Sequence, residues 1–245
     1  MSAKVWSLFL LLAILLFACQ PAATPQPTVQ PLRVQLTPLL AESWLPKLNA
    51  CSEYLTLSNL LIEVRETSEL DLQSADLIIR TSADLEAEQA GTYLGAERFA
   101  LVVNPENPIV SLSQEEAIAL LSGAYAQWKE VPSSAASAQA FDQPVKLVFL
   151  VDQDLDAFLS TAFPSLEISP SMGEKAYSVE MAQQLIAETP GAIGLLPASA
   201  LTPALKEVQL FDASNQLITW QLHVLGLTPI EPVGDMLQLL LCLQR

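Results

Sequence analysis

The chain is poor in the residues on which much enzyme chemistry depends. It has one histidine, His223, and three cysteines, at positions 19, 51 and 242 of 245. One histidine offers no pair for a transition metal, and cysteines so far apart form no ligand cluster in sequence. His223 lies in the apolar run ITWQLHVLGL, so it reads as a strand or core residue rather than a general base. Eight glycines are too sparse for a phosphate cradle, and neither a P-loop nor a dinucleotide motif is present. LLSGAYA, residues 120–126, lacks the Gly-x-Ser-x-Gly of a nucleophile elbow. Basic residues are scarce too, 11 against 27 acids, for a formal net charge of −16. Nucleic acid and anionic lipid headgroups are therefore poor partners. The expectation is a chain that is not an enzyme and holds no metal and no cofactor.

What is present begins with a targeting segment. Lys4 precedes an apolar run from Val5 to Phe17, too short to span a membrane comfortably. The run closes in LFAC, with Ala18 directly before Cys19. This resembles a bacterial lipobox, which implies a lipoprotein signal over residues 1–18, cleavage before Cys19 and lipidation of Cys19. The alternatives are an uncleaved anchor or an ordinary signal with a chance cysteine. Residues 19–31 carry prolines at 21, 25, 27 and 31 and no charge, an extended spacer suited to lifting a domain off a membrane. Loss of residues 1–18 removes one base, Lys4, and no acid. Cys51 and Cys242 remain for a compartment where disulfides form. They stand either as a bridge tying the C-terminus to the first lobe or as two buried thiols.

The rest alternates strand-like and helix-like runs. LRVQLT (32–37), LIEVRET (61–67), ADLIIRTS (75–82), RFALVVNP (98–105), VKLVFLVD (145–152) and GAIGLLP (191–197) read as strands, with VQLF and ITWQLHVLGL as later candidates. PLLAESWLPKLNA (38–50) reads as a helix interrupted at Pro46. LDAFLSTAF, SVEMAQQLIAET and VGDMLQLLLCLQ are further helices, and the Ala/Ser-rich stretch 133–140 reads as a loop. This order argues for an α/β fold with mainly parallel sheets. Within SLSQEEAIALLSGAYAQWKEV (111–131), Ser113 and Glu116 form a capping-box pattern, and Gly123 suits the left-handed residue after a helix. Trp128 is expected to pack back over the helix end.

NPENPIVSLSQEEAIALLSGAYAQWKEV, 104–131, resembles the phosphate ABC transporter substrate-binding proteins, a branch of the type 2 periplasmic-binding fold. Asn104-Pro105, Asn107-Pro108, Leu121, Gly123 and Trp128 fill the places of that family's motif. ETPGAIGLLP is similar to its Pro-Gly-Ala-Ile-Gly segment, and SADLIIRTS to its Ala-Asp strand. The resemblance implies two lobes, each a mainly parallel sheet flanked by helices: 32–104 with 198–245, and 105–197. RFALVVNP and GAIGLLP would be the two hinge crossovers, and a ligand would sit between the lobes.

The chain departs from the family where phosphate would bind. The turn after the first strand offers only Thr37 and no glycine. The turn after ADLIIRTS offers Arg80, Thr81 and Ser82, again without glycine. The family's arginine and Ser-Gly-Thr fall on Leu150 and on Asp154-Leu155-Asp156. Asp152, Asp154 and Asp156 thus occupy a helix start that would otherwise attract an anion. A dianion beside them meets repulsion on the order of a few kcal/mol per charge pair. The aspartates read as helix caps. DQDLDAF also has the first, third and fifth acids of a calcium loop, but not its glycine or final glutamate. Thr37, Arg80, Thr81, Ser82, Asp152, Asp154 and Asp156 are the candidate ligand-binding residues. The expected role is a membrane-anchored extracytoplasmic solute-binding lipoprotein, monomeric, taking a small molecule or ion for an ABC permease or for sensing. The alternative is a surface scaffold that has lost its ligand.

Overall fold

The computed structural model describes residues 30–81, 90–132, 141–162 and 173–245. The signal segment, Cys19, nearly all of the spacer, Ser82 and the Ala/Ser-rich stretch lie outside the described residues.

The first lobe is built on β1 (Leu32–Leu36), flanked in parallel by β2 (Leu60–Val64) and β3 (Leu77–Thr81). Helix α1 (Pro38–Ser52) starts with proline at its first position, where the missing N–H has no helical partner to lose. It buries Leu40, Trp44, Leu48 and Cys51, spaced by three or four residues, against the sheet. Contrary to expectation, the helix continues through Pro46. An internal proline costs about 3 kcal/mol. Pro46 lies on the exposed side, while Trp44 and Leu48 on either side of it are fully buried and hold the helix to the sheet.

Strand β4 (Ala90–Val103) is 14 residues long and belongs to both lobes. Its first part pairs antiparallel with β11 (Trp220–Thr228), which also borders β3. Its last part, Phe99 to Val103, pairs antiparallel with β8 (Ala192–Pro197). Strand β8 in turn borders β6 (Lys146–Leu150), which pairs with β7 (Gly173–Ala176), both in parallel. Between these strands lie β5 (Ser111–Ser113), α2 (Gln114–Leu121), α3 (Gln153–Ala162) and α4 (Val179–Glu188). The last helix, α5 (Gly234–Leu243), packs on α1, and Cys51 and Cys242 are joined in a disulfide with Cα atoms 5.8 Å apart.

Within the stretch 198–245, one strand reaches across to residues on both sides of the expected boundary at 104. Strand β9 (Lys206–Phe211) pairs with Leu101 to Val103 of β4 and, in parallel, with β5. The short β10 (Leu217–Ile218) pairs with β9. The reason is the alternation in KEVQLF: Val208 and Leu210 point into the core that holds Leu112, Leu120 and Trp128. Residues 206–218 thus join the end of β4 to β5, and β11 then runs back to β3.

The family-like motif proves to be internal bracing. Ser113 and Glu116 form the capping box, with Glu116 N–H on Ser113 Oγ at 3.2 Å and Ser113 N–H on Glu116 Oε2 at 2.9 Å. Gly123 takes φ +74° after the helix. Trp128 is fully buried and donates its indole N–H to the Gly191 carbonyl at 2.9 Å. Asn104 donates to the carbonyls of Ile186 and Ala187 at 3.2 and 2.7 Å, closing the end of α4.

Candidate functional site

The C-terminal ends of β1, β2 and β3 form one edge of the first lobe, and each is followed or closed by a threonine. Thr37 directly follows β1. The register sets Leu36 beside Ile79, so Thr37 is level with Arg80. Thr37 is fully buried, caps nothing with its side chain, and its Oγ1 has no protein partner. Thr67, in the turn after β2, likewise has a buried Oγ1 without a protein partner. Thr81 ends β3 and is fully buried.

The start of α3 meets this edge from the second lobe, packing against β3 and the turn Thr67–Glu69. Asp154, in its first turn, takes up three donors. Arg80 Nε reaches Asp154 Oδ2 at 3.2 Å and Arg80 Nη2 is paired with Oδ1, a two-pronged guanidinium–carboxylate contact. Thr81 Oγ1 donates to Oδ2 at 3.3 Å. The Asp154 side chain is 2% exposed and that of Arg80 27%. This pair, 74 residues apart in sequence, ties the end of β3 to the start of α3.

Asp152 holds the helix start from behind. Its Oδ1 accepts the N–H groups of Asp154 and Leu155 at 2.9 and 3.0 Å. Its burial pushes the carboxyl up to about 6, opposed by those two N–H groups and reinforced by the neighbouring Asp154 and Asp156. Asp156 starts the helical ladder by donating its N–H to the Asp152 carbonyl at 3.0 Å, and faces outward. The cap reading of the aspartates therefore holds for Asp152, while Asp154 spends its carboxylate across the lobes.

The structure thus brings together Thr37, Arg80, Thr81, Asp152 and Asp154, leaves Asp156 on the outside of the helix, and does not describe Ser82. Thr67 was missed by sequence reasoning. The signal that finds it is positional: a hydroxyl residue just beyond a parallel strand that neighbours β1. A cavity of about 280 Å³ adjoins Arg80, lined by Leu70, Leu72, Ile78 and Leu227 with Asp71 and Gln73. Two further cavities, beside β9 and beside Gly123, lie away from these turns.

The arrangement suits binding by charge and hydrogen bonds. His223 is exposed on β11 and meets Tyr93 edge-on at 5.4 Å, outside this junction. Among the described residues, no three His, Cys, Asp or Glu side chains are placed to hold a metal ion.

No protein-family model matches the chain, and no curated protein matches it in sequence. Solved structures do match in shape. A phosphate ABC transporter substrate-binding protein from Clostridium perfringens, solved with bound phosphate, is 13% identical with a TM-score of 0.67, covering 87% of this chain and 92% of that one. An ABC-type phosphate transport receptor from Vibrio cholerae is 14% identical with a TM-score of 0.63, covering 87% and 93%. The reduced OxyR regulatory domain from Pseudomonas aeruginosa is 16% identical with a TM-score of 0.58, covering 89% and 99%. Receptors and regulatory domains alike share the architecture found here, and the chain has the type 2 periplasmic-binding fold.

Proposed function

We propose that this chain is a lipid-anchored, extracytoplasmic solute-binding protein. It takes a small solute at the junction of Thr37, Arg80 and Thr81 with Asp152 and Asp154, for import through an ABC-type permease or for sensing. The observation that carries this reading is the meeting of buried polar groups from both lobes at one place. The first lobe brings a guanidinium and hydroxyls, and the second brings carboxylates held on a helix start. Binding between lobes at strand ends is the habit of such clefts. The Cys51–Cys242 disulfide supports an oxidising, extracytoplasmic setting, and the lipobox-like LFAC with its proline-rich spacer supports the anchor. Free phosphate is a poor candidate, because Asp154 already occupies Arg80 and Asp152 stands behind it.

A thermal-shift screen of the purified full chain tests the reading. Phosphate, sulfate, amino acids, sugars and divalent cations are added singly. At least one class is expected to raise Tm in a concentration-dependent manner, and at a hundred times Kd the gain is about 2.7 kcal/mol. A flat response throughout overturns the reading. That outcome favours the second one, a surface scaffold whose cleft is filled by its own groups, to which the Arg80–Asp154 pair lends support.

A further inference from the structure

We infer that the solute is a small zwitterion, with a carboxylate for Arg80 and Thr81 and an ammonium for Asp154. The inference rests on the solute-binding reading above and names its substrate class. Its basis is how the junction pairs its own groups. Asp154 presents a planar carboxylate to Arg80 Nε, Arg80 Nη2 and Thr81 Oγ1, the donors that a ligand carboxylate would use. Asp154 is thus a built-in copy of one end of the ligand, and Arg80 a copy of the other.

Charge balance then selects the ligand. An anion inserted onto Arg80 strips Asp154 of its cation, and Asp154 is 2% exposed. A buried carboxylate so orphaned, next to a second negative charge, is strongly penalised. A simple cation on Asp154 leaves the Arg80 guanidinium unpaired in the same way. A neutral solute separates the two and replaces neither. Only a molecule bringing both signs, a few bonds apart, restores a partner to each. Asp152 adds to the acidic side, and Arg80 is the cation that Asp154 meets among the described residues, which further weights the junction against a net anion.

Size narrows the class. The cavity adjoining Arg80 is about 280 Å³, near the lower end for ligand pockets. Its walls, Leu70, Asp71, Leu72, Gln73, Ile78 and Leu227, mix apolar and polar groups and do not include Asp154, so it adjoins only the Arg80 end of the pair. The unpartnered Thr37 hydroxyl, level with Arg80, offers one more hydrogen bond on the carboxylate side. A free amino acid brings both charges a few bonds apart, one for Arg80 and one for Asp154.

Calorimetric titration of the purified full chain tests this with four probes: L-alanine or L-leucine, its N-acetyl derivative, its amide, and inorganic phosphate. The free amino acid is expected to bind, and either blocked form to bind at least ~30-fold more weakly, the loss typical of removing one partner from a buried charge contact. Asp154→Asn is expected to weaken the free amino acid by a similar factor while binding the N-acetyl form no worse than wild type. Wild-type probes decide the matter even if this variant folds poorly. Equal or tighter binding of a blocked form or of phosphate overturns the zwitterion and leaves the solute reading standing, as does a response confined to another class in the wider screen. No binding by any solute overturns both.

Discussion

Asp152 shows how one residue can serve structure at a cost. Its carboxylate caps α3 through two N–H groups, yet burial makes the charged form expensive and lifts its pKa from the ordinary 3.8 to about 6. The folded state therefore holds the proton more tightly than the unfolded chain does. That contribution to stability is fully present below about pH 4 and is lost as pH rises through about 6, a change on the order of 3 kcal/mol. The groups facing it are Asp154, Asp156 and, through Asp154, Arg80. Asp152→Asn keeps an oxygen for both N–H groups and never ionises. Its unfolding free energy is expected to gain on wild type by about 2–3 kcal/mol between pH 4 and 7. Chemical denaturation across that range checks this, and parallel profiles would refute it.

At the scale of elements, the motif at 104–131 and the one at 188–197 are two halves of one brace. Trp128 follows α2, Gly191 precedes β8, and a single indole N–H joins them in a buried position. Gly191 has no room for more, since a Cβ there would lie 2.1 Å from the Pro144 carbonyl oxygen. Trp128→Phe removes one of the two donors to that carbonyl, the other being the Lys146 N–H at 3.0 Å, and is expected to cost about 0.5–1.5 kcal/mol for the lost hydrogen bond. Gly191→Ala must move the backbone around Pro144 and should destabilise at least as much. Urea melts of both variants, with m unchanged, are the measurement. These motifs were legible because they are local: a cap, a left-handed glycine and a hydrogen-bonded turn all declare themselves within a few residues. The first half of β4 was not legible. AGTYLGAE, 90–97, carries two glycines and little alternation, and its pairing is supplied by β11 from more than a hundred residues away.

The whole molecule hangs on β4, which runs through both lobes, and on closures made far apart in sequence. One is the disulfide between Cys51 and Cys242, with a separation of 191 residues. It pins α5 to α1 and so seats the C-terminal helix against the core of Leu40, Leu48, Leu239 and Leu240. Removing it with Cys242→Ser is expected to cost about 2–5 kcal/mol. Reductant should lower the Tm of wild type by a comparable amount and leave the variant unmoved, a comparison that separates loss of the bridge from loss of packing. The division into lobes is also a property of this scale. VQLF reads as a strand, but its residues do not foretell that it joins β5 and the end of β4.

By itself the sequence determined the α/β class, the presence of helices at α1 and α4, the capping box at Ser113 and the stop at Gly123. Each follows from residue spacing and local backbone preference, which act over a turn or two. It also marked Arg80, Thr81, Asp152 and Asp154 as the places where the chain leaves its resemblance to phosphate receptors. Only the tertiary structure decided that Arg80 and Asp154 meet, that Asp152 caps while Asp154 crosses the lobes, and that Thr67 joins Thr37 at the same edge. Those outcomes depend on the packing of α3 against β3, and ion pairing between residues 74 apart leaves no periodic trace in the chain that makes it.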